Sequence, residues 1–307
     1  MLLAGAILPS WQDFQPFLVT GLALGGVYAL SGVGMLVLFR ATGVLNLAFG
    51  AVGAFGALIA WQLINKSGWN QWLAYLACIV VSGGITLAYG MLFGPALSRR
   101  EPLVKAAATL GLTLILLGVM DLLWTSSGGQ VRSIALPTDN HGFTLGQINV
   151  TTTQVIGLGI GIAITVVTGA FLRFTKLGTA MRAMANDREI TATLGVPIRR
   201  VEAAAWLGCG VLSGVAGILL GDLVALDATT LTFIVISSVA AALIARLSSI
   251  YVTFAAAIVV GLVDATIESS PIQSLSNYHD MAPFVLAAVA LAWINRRRVI
   301  SISQEGI

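Results

Sequence analysis

Long apolar runs separated by short polar clusters leave this chain few ways to fold. A bilayer core is about 30 Å thick, and a helix needs about 20 apolar residues to cross it. Such runs occur at 16–39, 44–64, 70–93, 103–124, 152–172, 201–221, 231–247, 250–268 and 281–295. In lipid the backbone must satisfy its own hydrogen bonds, so runs of this length become helices. Charged residues make up 9% of the chain and hydrophobic ones 57%, a balance that soluble domains do not carry. The expected class is an all-α integral membrane protein, one transmembrane domain over 1–307, built as a polytopic bundle of about nine spans, with eight possible. The seventh and ninth runs are short for a full crossing and fit tilted, kinked or partly re-entrant segments. Met1–Ser10 is apolar but has no basic region before it, so the first span is expected to direct insertion.

Lysine and arginine concentrate on the cytoplasmic side of membrane proteins. With nine spans and the N-terminus outside, 14 of the 16 basic residues fall inside, leaving only Lys66 and Arg132 outside. Eight spans would put one cluster on the wrong face, so the C-terminus is expected inside. The formal charge of +3 then reflects loop bias and does not point to nucleic acid. The outer loops would be 125–151, rich in Gly, Ser and Thr, and 269–280, which holds His279 and Asp280.

Several chemistries find no support. None of the three lysines follows a glycine, so no phosphate-binding GxxxxGK[ST] loop exists. No Ser/His/Asp or Cys/His arrangement stands out, and the two histidines form no spaced metal set with the acids. Cys78 and Cys209 both lie in apolar runs and read as small buried hydrophobes. No catalysis, metal or cofactor is expected.

The most informative polar stretch is 173–200. It holds six basic residues, Arg173, Lys176, Arg182, Arg188, Arg199 and Arg200, in a segment that reads as helical. Gly195 suits the residue just past a helix end and Pro197 blocks continuation. A basic cytoplasmic loop in an otherwise embedded protein suggests contact with a soluble partner. Between the first two runs, Arg40 to Gly50 places Thr42, Gly43 and Asn46 at membrane depth, either as an unwound pathway lining or as a helix cap. Asp121, Asp264 and Glu268 are intramembrane acids, which either serve function or face interfacial water. Gly210, Gly214, Gly217 and Gly221 share one helix face, and Gly21/Gly25 and Gly157/Gly161 make similar pairs. Such spacing permits close helix packing, with a pore seam or dimer contact as the sharper alternative.

Gly21-Leu22-Ala23-Leu24-Gly25-Gly26-Val27-Tyr28-Ala29-Leu30, followed by Gly43-Val44-Leu45-Asn46-Leu47-Ala48-Phe49-Gly50, resembles the opening of the branched-chain amino-acid ABC importer permeases. Leu177 to Asp187, with Leu194-Gly195-Val196, is similar to that family's cytoplasmic loop, and Gly208 to Gly221 to the helix after it. The similarity runs from about residue 17 to 295. The chain departs from the pattern at Phe49, where the family has His, at Thr191, where it has Ala, and around Arg246, where it has a glycine-pair segment.

The resemblance implies a multi-pass permease subunit of the bacterial inner membrane. Its partners would be separate ABC ATPase subunits, a second permease subunit (a copy or a paralogue), an extracytoplasmic substrate-binding protein and the lipid bilayer. The loop would couple to the ATPase through Gly178, Arg182, Ala183, Ala185, Asp187 and Gly195, with Arg182 and Arg188 facing acidic or carbonyl groups of that partner. Tyr28, Thr42, Asn46 and Asp264 would line the substrate pathway. The implied cargo is a branched-chain or other hydrophobic amino acid; related permeases take urea, short amides or organic acids. A stand-alone secondary transporter or channel is the alternative from another class. It would favour paired buried charges, and no buried cation–anion pair is expected here.

Overall fold

The computed structural model describes residues 11–98, 100–124, 132–134, 136, 142–145, 148–272, 281–290 and 292. Ten helices and one hairpin have defined bounds among them. In chain order the first helices are α1 (Trp11–Thr42), α2 (Phe49–Asn65), α3 (Gln71–Leu97) and α4 (Pro102–Trp124). A hairpin of β1 (Gly142–Leu145) and β2 (Ile148–Thr151) precedes α5 (Thr152–Phe174). Then come α6 (Lys176–Asn186), α7 (Arg188–Thr193), α8 (Ile198–Leu223), α9 (Ala228–Ile244) and α10 (Ile250–Glu268). Residues 282–290 are also helical.

Six helices, α1, α3, α4, α5, α8 and α10, are long and apolar enough to cross a membrane. α2 and α9 are apolar but have 17 residues each. The chain is thus a polytopic helical membrane bundle. The hairpin is an addition to the all-α expectation: part of the loop expected as irregular, 125–151, pairs as antiparallel strands with Gly142 opposite Thr151. Thr151 then starts α5 through a reciprocal capping box with Gln154. His279, Asp280, Met1–Ser10 and Arg296–Arg298 lie outside the described residues.

The bundle is built around α1. Its apolar window is 83% buried, against 33%, 28% and 22% for α3, α4 and α5. The latter three turn side chains such as Leu92, Leu114 and Val167 outward, as lipid-facing helices do. α1 lies against α10, α5, α8 and α9, and small residues let it. A Cβ on Gly26 would sit 2.6 Å from Leu158 Cα and 2.8 Å from Gly157 O of α5, and one on Gly25 would sit 2.9 Å from Ile258 Cα of α10. The face expected from Gly210, Gly214 and Gly217 is a packing seam in the structure, with Gly210 and Gly214 against α3 and Gly217 against Gly53 of α2.

Cys78 and Cys209 are buried and unpaired with each other.

Candidate functional site

Two cavities lie at opposite ends of α1. The first, of about 560 Å³, opens where the start of α1 meets the end of α8, the start of α9 and the end of α10. Tyr28, Asp264 and Glu268 line it together with Leu24, Phe233 and Ser237. Tyr28 Oη donates to Asp264 Oδ2 at 3.1 Å, across 236 residues of sequence, with both side chains buried. Two of the expected pathway residues therefore form one unit. Among the described residues the surrounding lining is apolar and hydroxyl-bearing, with two acids.

The second cavity, of about 850 Å³, lies where the end of α1, the ends of α3 and α9 and the start of α4 meet α6. Thr42, Arg182, Ala183 and Ala185 line it, so one expected pathway residue and three expected coupling residues share a wall. From Leu24 to Ala41 along α1 is 17 residues, about 26 Å at 1.5 Å per residue. Between the two cavities Leu30, Val33 and Leu36 are fully buried.

α6 is amphipathic in the way a docking helix requires. Gly178, Met181 and Met184 are buried, whereas Arg182, Ala185 and Asn186 are exposed. Gly178 is a close-approach position, where a Cβ would fall within 2.5 Å of Leu172 Cα on α5. Thr175 starts the helix by accepting from Gly178 N at 2.9 Å. The expected single helical stretch is in fact broken at Asp187. This residue has extended backbone, ends α6, and caps α7 by accepting from Ile190 N at 2.9 Å. Gly195 follows α7 with φ +81° and its N–H on Ala192 O, the left-handed geometry expected of it.

Asn46 stands apart from both cavities. It is fully buried; its Oδ1 accepts from Ala48 N at 3.1 Å and its Nδ2 reaches Cys209 Sγ at 3.5 Å. It braces the turn between α1 and α2, where Gly43 has φ +68° and Thr42 Oγ1 accepts from Val44 N. These contacts close a turn ahead of α2, whose N-cap is Ala48.

The departures from the family pattern have local explanations. Phe49 is buried against Gly34, and its carbonyl accepts from Ser213 Oγ at 2.6 Å. Thr191 is buried and donates to Asp187 O at 2.6 Å. Arg246 and Leu247, in the region where the family carries glycines, both have positive φ, 53° and 51°.

Sequence reasoning missed two features. Arg188 pairs with Glu202 of α8 at 2.6 Å, with Glu202 buried and Arg188 about one-third exposed; Arg188 thus has a partner inside this chain, in a pair that is buried on its acidic side alone. The second is Ser31 and Ser238, whose buried hydroxyls have no hydrogen-bond partner among the described residues. Ser31 lies between the two cavities and lines a void of about 10 Å³ with Phe49 and Gly217. A hydroxyl in the middle of an apolar run was the available signal. Among the described residues no group of acids, histidines and cysteines could hold a metal.

The family model for "Branched-chain amino acid transport system / permease component" matches residues 17–294. The high-affinity branched-chain amino acid transport system permease protein LivH of Escherichia coli is 26% identical over 295 residues, covering 91% of this chain and 92% of that protein. The probable branched-chain amino acid transport permease protein LivH of Methanocaldococcus jannaschii is 27% identical over 245 residues, with 78% and 76% covered. BraD of Pseudomonas aeruginosa, a permease protein of the same kind of system, is 26% identical over 229 residues, with 70% and 73% covered.

Proposed function

This chain belongs to the family of permease components of branched-chain amino acid transport systems, and we propose that it forms one transmembrane half of an ABC importer. A second permease subunit completes the pathway, ATPase subunits drive it, and an extracytoplasmic binding protein supplies substrate. The helix pair α6–α7 is the coupling element, on the cytoplasmic side of a bacterial inner membrane. The chain crosses nine times, with its N-terminus outside and its C-terminus inside. The cavity at Tyr28 and Asp264 is then the outer vestibule.

The observation that carries this reading is the arrangement along α1. A mixed acidic and apolar cavity lies at one end, and α6 with its exposed Arg182 and Ala185 at the other, about 26 Å away. Transport follows if movement of α6 is transmitted through Thr42 and the α1 end to the closed segment around Leu30 and Val33. Gly178, held against α5, makes α6 move with the bundle rather than independently.

A branched-chain amino acid fits the vestibule chemically. Its ammonium has Asp264 and Glu268 to meet, its aliphatic side chain Leu24 and Phe233, and its carboxylate the hydroxyl of Ser237. Polar ends of an apolar substrate need such partners in a low-dielectric path.

The test is uptake of labelled leucine by proteoliposomes holding the chain with its ATPase and binding-protein partners. Asp264→Asn is expected to lower uptake about tenfold or more, the loss of one charge-assisted contact. Uptake at the wild-type rate would remove Asp264 from the pathway. A chain that transports without any ATPase subunit co-purifying would be a stand-alone carrier instead. Labelling of Ala185→Cys by an impermeant reagent added to intact cells would reverse the topology.

A further inference from the structure

We propose that the 850 Å³ cavity beside α6 is a binding site for a phosphate-bearing anion. Arg40, Lys105, Arg182 and Arg188 converge on it from four helices, α1, α4, α6 and α7. Among the described residues Glu202 is ion-paired with Arg188 and also acts electrostatically on Lys105. Arg40 directs one guanidinium N–H to Ser248 O, and Arg182 reaches only Thr179 Oγ1 at 3.5 Å.

Lys105 carries the inference furthest. It is 9% exposed, lies at the cavity wall, and its ammonium donates no hydrogen bond among the described residues. Burying a charge is unfavourable unless it is paired. Here four cations that repel one another have one nearby acid, Glu202, shared between Arg188 and Lys105, so the site as built favours a further counter-charge from outside the chain. Gly43 makes room for it: its left-handed turn passes close to the ammonium, and a Cβ there would come within 3.3 Å of Lys105 Nζ.

The geometry selects the chemistry. Arg40 and Arg182 offer planar forks and Lys105 a point charge, the combination that binds tetrahedral phosphate oxygens from several directions. Two sources present that group: an anionic phospholipid headgroup and free phosphate. Leu103 and Val104, the exposed apolar neighbours of Lys105, give acyl chains a surface if the source is lipid. The site does not depend on the transport reading, since it follows from charge and burial alone.

The test uses the full-length purified chain, wild type and Lys105→Gln, with Arg173→Gln as a charge-matched control outside the cavity. One arm measures retention of phosphatidylglycerol against phosphatidylcholine by native mass spectrometry. The other measures the shift in melting temperature with inorganic phosphate against chloride at equal ionic strength. The expected result is a selective anion effect in wild type and Arg173→Gln that weakens about tenfold in Lys105→Gln, the loss of one charge-assisted contact. Phosphatidylglycerol selectivity without a phosphate shift assigns the lipid source, and the reverse assigns the free anion. No selectivity in either arm, or equal loss in Arg173→Gln, overturns the proposal. Should Lys105→Gln fail to fold, Arg40→Gln carries the same expectation and the same refutation.

Discussion

Replacing Gly26 by alanine tests whether the contact between α1 and α5 is as close as the backbone implies. The added methyl would lie 2.6 Å from Leu158 Cα, 2.8 Å from Gly157 O and 3.1 Å from Gly157 C. Ordinary contact begins at 3.4 Å, so the nearest atom must retreat by about 0.8 Å, and all three atoms are backbone that no rotamer change can move. Overpacking of this kind costs about 1–3 kcal/mol, and opening the rest of the interface by 0.5–1 Å forfeits part of its dispersion energy as well. The upper end, about 3 kcal/mol, is expected. Gly159→Ala is the matched control: it lies one residue beyond Leu158 on α5 and has nothing within 4 Å. It is expected to stay within about 0.5 kcal/mol of the parent. Thermal unfolding of the three proteins in one detergent, followed by tryptophan fluorescence, reads the difference as a fall of several degrees for Gly26→Ala only. Equal melting temperatures for the two variants would refute the close approach and the central placing of α1 with it.

Gly195→Val should strain a residue held at φ +81° by about 1–2 kcal/mol, leaving assembly intact while ATP hydrolysis loses its link to uptake; normal substrate-stimulated hydrolysis with normal uptake would sink that. Arg246→Gly should raise stability by about 1 kcal/mol, because it relieves a left-handed non-glycine residue whose side chain is exposed, and a lowered melting temperature would show that the Arg246 side chain matters more than its backbone. Asn46→Leu removes the acceptor for Ala48 N at a cost of about 1–3 kcal/mol; it is expected to lower uptake while ATPase subunits still co-purify, and transport at the wild-type rate would reduce Asn46 to a structural cap.

The helices were legible because a crossing segment is a matter of composition over about 20 residues. Their ends were less so, since single residues decide them. The run beginning at 44 becomes helix only at Phe49, after Gly43 turns left-handed and Asn46 closes a turn by accepting from Ala48 N. The run 231–247 becomes Ala228–Ile244, moved earlier at one end by Asp227, which accepts from Thr230 N, and stopped at the other by Arg246 and Leu247. The left-handed turn at Gly195 could be placed by its position past a helix. The Arg188–Glu202 pair could not, because the chain reverses between α7 and α8 and only the packed fold brings the two together. The same holds for Lys105: nothing local distinguishes a lysine at the start of a span from one drawn into a cavity by three other helices. Tyr28 and Asp264 could each be singled out, one by motif and one as an intramembrane acid, but their hydrogen bond spans nearly the whole chain.

The burial of α1 sets an order of events during biogenesis. The helix that ends up most enclosed precedes all its neighbours in the chain, and α10, which covers one of its faces, begins more than 200 residues later. With a mean hydropathy of 2.0 over its apolar window, α1 can enter the bilayer alone, as independent insertion requires. It must then wait with Ser31 and its glycine faces against lipid until α5, α8 and α10 arrive. Half-made chains therefore expose to the membrane the surface that the finished protein hides most completely. A quality-control protease or a membrane chaperone surveying nascent permeases would find its clearest mark of incompleteness there.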